Sequence, residues 1–482
     1  MTRLSTDKLA TLTNWLGYLL AAVFVLLPFH AFLTVSLAAA LGHYDVLRIW
    51  KEVLLLLLSP LAAVLVWKTP GLWDHLKQGW LFWCIACYVL LHLVLGLVAL
   101  SRGQVNGFAL EYSWIINLRP LLIFVLAFVV AARSRWLRNH WEQLLLYSAG
   151  VVIGFGLLQI FVLPTNFLQH FGYDSATIMP FETVDQKLDY VRIQSTLRGA
   201  NPLGAYLVLV LSALVVLLLK SKRDQRQIIG ITMLSAGLVV LISTYSRSAY
   251  LGMVLAALTA VMLVIHGRKS KQRLAIGLAA LMLLAIVSLV VLRDNDRFEN
   301  TFFHTDETSR SVTSSNEQRT SALQSGLSDV WRQPFGGGPG TAGPASAHNN
   351  APARIAENYY LQIGQEVGWL GLGLFIAILV AVARRLFALR ADPLARTMLA
   401  SLVGISFIGL VSHVWADDTL ALLWWGMAGV ALAPALIGEK INYAQGSSVE
   451  PAILQSSSSK THVKNKTNQH HGAKHQKTKS PA

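Results

Sequence analysis

Apolar stretches long enough to cross a membrane alternate with short polar breaks along most of the chain. A window of about 19 residues finds them at 15–34, 49–67, 79–100, 114–132, 141–163, 199–219, 227–243, 248–266, 274–292, 366–383, 397–415 and 419–437. A helix of that length satisfies its own backbone polar groups inside the hydrocarbon layer, where no water can do so. The pattern predicts an all-α polytopic transmembrane helical bundle of about 12 spans. Near Pro28 the stretch LPFHAFLTVSLAAALG leaves three outcomes open: it finishes the first helix, re-enters, or lies at the interface. The first apolar segment opens at Trp15 and meets Pro28 and His30 instead of a small-residue cleavage site, so a retained first span is expected.

Composition supports the pattern, with 54% apolar and 13% charged residues. The net charge of +15 does not indicate nucleic acid, because the basic groups fall between spans and in the tail. The connections WKTPGLWDHLKQ, ARSRWLRNH, KSKRDQR, GRKSKQR and RRLFALRADPLAR are all basic. The positive-inside rule therefore predicts a multi-pass protein of the cytoplasmic (inner) membrane with both termini cytoplasmic. It places outside the segments 164–198 and 293–358, with the short connections around Arg247 and Asp417. Four parts follow: 1–292 with nine spans and the outer loop 164–198, 293–358 as a large extracytoplasmic loop, 359–437 with three spans, and 438–482 as a basic tail. The tail is too polar to build a core and suits anionic lipid head groups.

Within the large loop, SSNEQRTSALQSGLSDVWRQP carries a capping box at Ser315 and Gln318, then Leu323, Leu327, Val330 and Trp331 on one face, and a stop at Pro334. An amphipathic helix on or near the outer face is expected. The following QPFGGGPGTAGP, 333–344, lacks the Lys and Ser or Thr of a nucleotide loop. It reads as a substrate-shaping loop that turns tightly or offers amides to an anion.

Arg293, Arg297, Arg310, Arg319, Arg332 and Arg354 recur through 293–358, which has no lysine. A guanidinium grips phosphate through two parallel hydrogen bonds where an ammonium acts as a point charge. The pattern points to a diphosphate ligand, against the alternative of arginines paired with surface acids. Arg192, Arg198 and Arg247 lie beside helix ends, as anion ligands or as snorkelling side chains. Asn201 and Pro202 suit a first helical turn whose free amides could face a phosphate. Cys84 and Cys87 read as packing residues. Asp294 and Asp296 read as a solvated helix end, and Asp417 and Asp418 as a solvated turn that caps the last span. Glu52, His92, Glu366 and His413 stand out as ionisable groups in the spans, and they are what favours a transporter or flippase of lipid-linked sugar.

From Leu197 to Trp425 the chain resembles the O-antigen ligase and polymerase superfamily of membrane glycosyltransferases. The resemblance rests on STYSRSAYLG, NEQRTSALQSGLSDVWRQPFGGGPG, ENYYLQIGQEVGWLGL and DDTLALLWW, in that order. It implies a helical bundle with a large extracytoplasmic loop, similar to the GT-C architecture. It implies transfer of a glycan from an undecaprenyl-diphosphate carrier to an acceptor hydroxyl of a glycan, lipid or protein, without metal or nucleotide cofactor. Polymerisation of lipid-linked repeat units is the alternative within the superfamily. Membrane lipids are expected neighbours, and nucleic acid is not. Arg319 with Leu323 matches the family's spaced Arg and Leu, Arg247 its Arg between small residues, and Arg192 or Arg198 its upstream Arg. These are the implied diphosphate ligands, Arg319 with a catalytic share. Where the ligase branch has a His-Asn pair before Tyr-Leu, this chain has Glu357, and His348-Asn349 comes nine residues earlier. Glu357 or His348 is thus the expected base, with Asn358 and Tyr360 positioning the acceptor.

Overall fold

The computed structural model describes residues 6–184, 187–219, 225–265 and 315–433, which lie in one compact unit. The expected span at 274–292, the loop residues Arg293, Asp294, Asp296, Arg297 and Arg310, and the basic tail lie outside the described residues. Among the described residues, nine helices have the length and apolarity to cross a membrane: Asp7–Leu41, Trp50–Lys68, Trp80–Ser101, Gly107–Arg133, Trp141–Phe161, Ala200–Leu218, Gln225–Ile242, Arg247–Val264 and Tyr359–Ala388. Pro393–Ile408 and Asp418–Leu432 are shorter apolar helices. Glu182–Val184 and Lys187–Arg192 form one antiparallel strand pair. The protein is a polytopic helical membrane protein. The stretch at Pro28 finishes the first helix: a tight turn at Leu27–Phe29 absorbs the proline, and the helix resumes over His30–Leu41.

Burial sorts the helices into centre and periphery. Over their most apolar stretches, 78% of Gly107–Arg133 and 72% of Ala200–Leu218 is buried, against 17% of Gln225–Ile242. Asp418–Leu432 is buried on nearly every side, and its Trp424 packs edge to face with both Trp415 and Trp425. Lipid tails are as apolar as leucine, so these helices associate by close fit more than by burial of oil from water. Gly252 and Gly404 meet back to back, and a Cβ on either would press on the other's carbonyl oxygen.

The connections gather at two chemically different ends. At one end, Thr196 Oγ1 donates to Pro28 O (2.8 Å), Thr419 Oγ1 to Leu27 O (3.0 Å), Arg192 Nε to Thr244 O (2.9 Å) and Tyr359 N to Gly409 O (3.0 Å). At the other, Arg133 Nε donates to Thr13 Oγ1 (3.0 Å), and Arg138 pairs with Asp392 at 3.1 Å. Three of the helices that begin at the first end carry side-chain caps there. Asn106, Asn358 and Asp417 each accept a hydrogen bond from an amide in the first turn of the helix that follows, which satisfies donors that have no partner inside the helix.

The helix Ser315–Arg332 forms as its pattern predicts, but its apolar face divides. Val330 is buried against Gly364, while Leu327 and Trp331 stay exposed and Trp331 stacks edge-on against Trp369. The glycine-rich loop after it docks on the helix Tyr359–Ala388. Gly337 N donates to Gln365 O and Gly338 N to Glu366 O, both at 2.8 Å. That helix breaks at Val367 and Gly368, and Gly368 holds φ 67° and ψ −168°, a conformation open essentially to glycine alone. A Cβ there would collide with the backbone of Pro334 and Phe335. Gly368→Ala should therefore destabilise the protein by about 1–3 kcal/mol or more, seen as a lower thermal midpoint in detergent. Gly373→Ala, where a Cβ meets nothing within 4 Å, should leave the midpoint in place.

Candidate active site

The first of the two ends of the bundle holds a buried ionic cluster. Lys51, Glu52 and Arg119 are each at least 92% buried. Arg119 binds both Glu52 Oε1 and Asp418 Oδ1, one with each terminal nitrogen. Lys51 Nζ lies 2.9 Å from Asp418 Oδ2 and 3.2 Å from Glu52 Oε2, and His30 Nε2 is 3.0 Å from the same ammonium. Two cations and two carboxylates thus neutralise one another where an isolated charge would be costly. Next to it, Asp417 caps its helix through Leu420 N (2.9 Å) and accepts from Arg198 Nε (2.9 Å). The solvated turn expected at Asp417 and Asp418 is instead an electrostatic joint: Asp417 is 4% exposed, because the Arg198 guanidinium takes the place of water there.

Against this cluster opens a polar cavity of about 370 Å³, with Arg48, Arg198, Glu182, Tyr112, His30 and Asp418 on its walls. Arg198 is half-exposed. Arg48 lies over the ring of Tyr112 at 5.2 Å. Across Tyr112, the exposed His348 ring rests edge-on, 4.8 Å from it and 4.9 Å from Phe108. His348 is anchored by its neighbours, since Asn106 Nδ2 donates to His348 O (2.8 Å) and Asn349 Oδ1 accepts from Asn106 N (3.2 Å). Burial pushes the His413 imidazole down to about 4, with the Glu357 charge opposing the shift and the Arg198 charge adding to it. Of the two expected bases, His348 thus rests against a residue of the cavity wall, and Glu357 is close enough for its charge to act on His413.

The upstream arginines divide between two places. Arg192 pairs with Glu182 at 3.3 Å and donates to Asn201 Oδ1 at 2.6 Å, so Asn201 serves the arginine. With Tyr245 it lines a smaller cavity of about 280 Å³. Arg247 opens the helix just after that connection. Glu182 joins the two places, since it pairs with Arg192 and walls the Arg198 cavity. Arg319 falls within the helix Ser315–Arg332, and its side chain is outside the described residues. Arg354 binds Asp329 at 2.7 Å. Asn358 accepts from Leu361 N and donates to Leu410 O (2.8 Å), and Tyr360 Oη donates to Ser406 O (3.0 Å). Both polar tips are engaged in fixing the start of their helix.

Two features depart from the sequence reading. The glycine-loop amides face protein acceptors: Gly340 N donates to the buried Glu366 Oε1 (2.8 Å), which Ser113 Oγ also reaches (2.9 Å), while Asn117 Nδ2 donates to Oε2 (2.7 Å). The carboxylate they hold is the protein's own. Arg119, Lys51 and Arg48, which sequence reasoning passes over, are central here. Arg119 carried a usable signal as a charge inside an apolar span. Among the described residues, no group of three or more His, Cys, Asp or Glu could hold a metal ion.

Removing one member of the cluster strands the others. Asp418→Ala leaves Lys51 and Arg119 short of a counter-charge and should cost about 3–5 kcal/mol in chemical denaturation. Arg138→Ala breaks a partly exposed pair and should cost about 1 kcal/mol or less. Equal losses would contradict the buried role.

Residues 231–376 match the model of the O-Antigen ligase family. No curated protein matches the chain. The matched segment runs from within the helix Gln225–Ile242 through Arg247 and the glycine loop to the helix Tyr359–Ala388. It contains both Glu357 and His348, and by this match the integral membrane protein carries, over residues 231–376, a domain of the O-Antigen ligase family.

Proposed function

We propose that the chain moves a glycan from an undecaprenyl-diphosphate carrier to an acceptor hydroxyl on the outer face of the cytoplasmic membrane, and that the cavity between Arg48 and Arg198 is where the diphosphate leaves. One observation supports the reading: the guanidinium groups of Arg48 and Arg198 share the walls of one polar cavity at the end of the bundle away from the basic connections, and His348 rests against the Tyr112 that lines it. Arg48 and Arg198 face the diphosphate oxygens. By the resemblance, Arg192, Arg247 and Arg319 complete the cationic set, with Arg192 acting on the cavity through Glu182. Helices that begin at this end add the positive ends of their dipoles.

Chemically, the acceptor oxygen forms a bond to the anomeric carbon while that carbon's bond to the diphosphate oxygen breaks. The bonding electron pair goes to the diphosphate, whose growing charge the arginines stabilise. The acceptor proton passes to the base, which is Glu357 first and His348 second. Glu357 holds φ 49°, a strained conformation for a non-glycine residue that tends to occur at functional sites. Asn358 and Tyr360 position the acceptor indirectly, by fixing the helix start that sets Glu357.

The groups that favoured transport are accounted for locally. Glu52 belongs to the ionic cluster, Glu366 holds the glycine loop, and His413 lies in the connection between two helices. His92 Nδ1 meets Tyr88 O within its own helix at 3.0 Å.

Purified protein in lipid nanodiscs, given a polyprenyl-diphosphate glycan and candidate acceptors, tests the reading by release of carrier diphosphate. Arg198→Ala should slow release about 10²-fold. Glu357→Gln should slow it about 10²-fold or more while donor binding persists, and His348→Ala should slow it less. Absence of release by wild type with every acceptor would refute the proposal, and so would equal rates in wild type and Arg198→Ala. A larger loss in His348→Ala would reverse the order of the bases.

A further inference from the structure

Where the helix Ser315–Arg332 ends, the bundle leaves an apolar patch uncovered. Leu327 and Trp331 lie one turn apart on that helix, and Phe335 follows just beyond it. All three are exposed, Trp331 by 68% and Phe335 by 81%. Val330 on the same turn is buried against the protein, and Ser325 is exposed on a side away from both. Large apolar side chains exposed together mark a binding surface.

The position of the patch says what covers it. Trp331 stacks edge-on against Trp369 with 5.2 Å between ring centroids, and Trp369 N donates to Pro334 O, just before Phe335, at 2.9 Å. Trp369 opens the second part of the helix Tyr359–Ala388, after the break at Val367 and Gly368. From there to Ala388 the helix rises about 30 Å at 1.5 Å per residue, which matches the hydrocarbon layer of a bilayer. Trp369, Ile376, Val380 and Phe387 recur at helical spacing along one of its faces and are all exposed, and a Cβ on Gly373 between them would meet nothing. An apolar stripe of that length on a spanning helix faces lipid tails. Trp369 heads the stripe, at the level between tails and head groups where tryptophan gathers in membrane proteins. Trp331 and Phe335 stand at that same level. The patch is thus continuous with the lipid-facing stripe, and a protein that covered it would have to displace lipid from the stripe as well.

We infer that Leu327, Trp331 and Phe335 insert among the lipid head groups of the leaflet at the cavity end of the bundle, and so anchor the helix Ser315–Arg332 to the membrane. The anchor goes beyond the transferase reading and stands without it. One turn before Leu327 the exposed side chain is the polar Gln324, so insertion is confined to the end of the helix. Val330 fixes that end to the bundle from one side, and the leaflet holds it from another. The anchored turn leads through Pro334 into the glycine loop and on to His348. The surface of the leaflet thereby becomes part of what sets the height of that loop.

The test uses full-length protein in nanodiscs, with Cys84→Ala and Cys87→Ala removing its two cysteines and one spin label attached through Leu327→Cys, Phe335→Cys or Ser325→Cys. Oxygen concentrates in lipid and a nickel chelate stays in water, so the ratio of their collision rates with the label reads its depth. At positions 327 and 335 the ratio should exceed that at position 325 by about fivefold or more, as for the apolar face of an interfacial helix. Adding Trp331→Asp and Phe335→Asp should bring the ratio at position 327 down to the level at position 325, whereas Trp331→Phe should leave it high. Equal ratios at all three positions would overturn the anchor. So would a label at position 327 or 335 shielded from both reagents, because protein would then cover the patch, and so would a ratio at position 327 that the two aspartates leave unmoved.

Discussion

Two cations and two carboxylates buried at one end of an apolar bundle must neutralise one another, and the rest of the site is arranged around how they do so. Lys51, Glu52, Arg119 and Asp418 come from three helices. No pair among them closes the account alone, because Arg119 needs both carboxylates and Asp418 needs both cations. Each contact fixes how far one helix may slide or turn against another. A buried ionic cluster is a poor source of net stability compared with apolar packing, but its geometry is demanding, and that makes it a suitable frame for a site.

From this frame the neighbouring surfaces follow. Asp417, next to Asp418, is placed to cap its helix and to hold Arg198. Glu52 also lines an apolar groove between the helices Trp50–Lys68, Trp80–Ser101 and Gly107–Arg133, and Asp418 carries the cluster to the polar cavity. A second frame sits two residues along the same helix, where Asn117 and Ser113 hold Glu366 and, through it, the glycine loop. That loop leads to His348, and the helix that carries Glu366 begins just after Glu357. One central helix, Gly107–Arg133, thereby sets the relative position of the arginines and of both base candidates.

Among the described residues, most spans were legible in the sequence because each is a local property, a run of apolar residues whose length answers to the bilayer. The helix Ser315–Arg332 was legible for the same reason, although which of its apolar residues would be buried depended on a partner helix. The site was legible only in part. Arg198, Glu357 and His348 stood out as polar residues near span ends, but Arg119 bonds to residues 67 and 299 positions away, and no local pattern encodes those pairings. Two adjacent aspartates between spans read identically whether water or arginine will meet them. The glycine loop likewise read as a substrate-shaping loop that turns tightly or offers amides to an anion, and one of its amides, that of Gly340, donates to the side chain of Glu366.

The central claim is that the carrier's diphosphate lies in the cavity between Arg48 and Arg198, with its glycan within reach of Glu357. The most direct test is an experimental structure of the protein in lipid with a non-hydrolysable polyprenyl diphosphate bound. The account predicts diphosphate oxygens within hydrogen-bond distance of both guanidinium groups, with the Lys51–Glu52–Arg119–Asp418 cluster intact beside them. A diphosphate bound elsewhere, touching neither Arg48 nor Arg198, would contradict it.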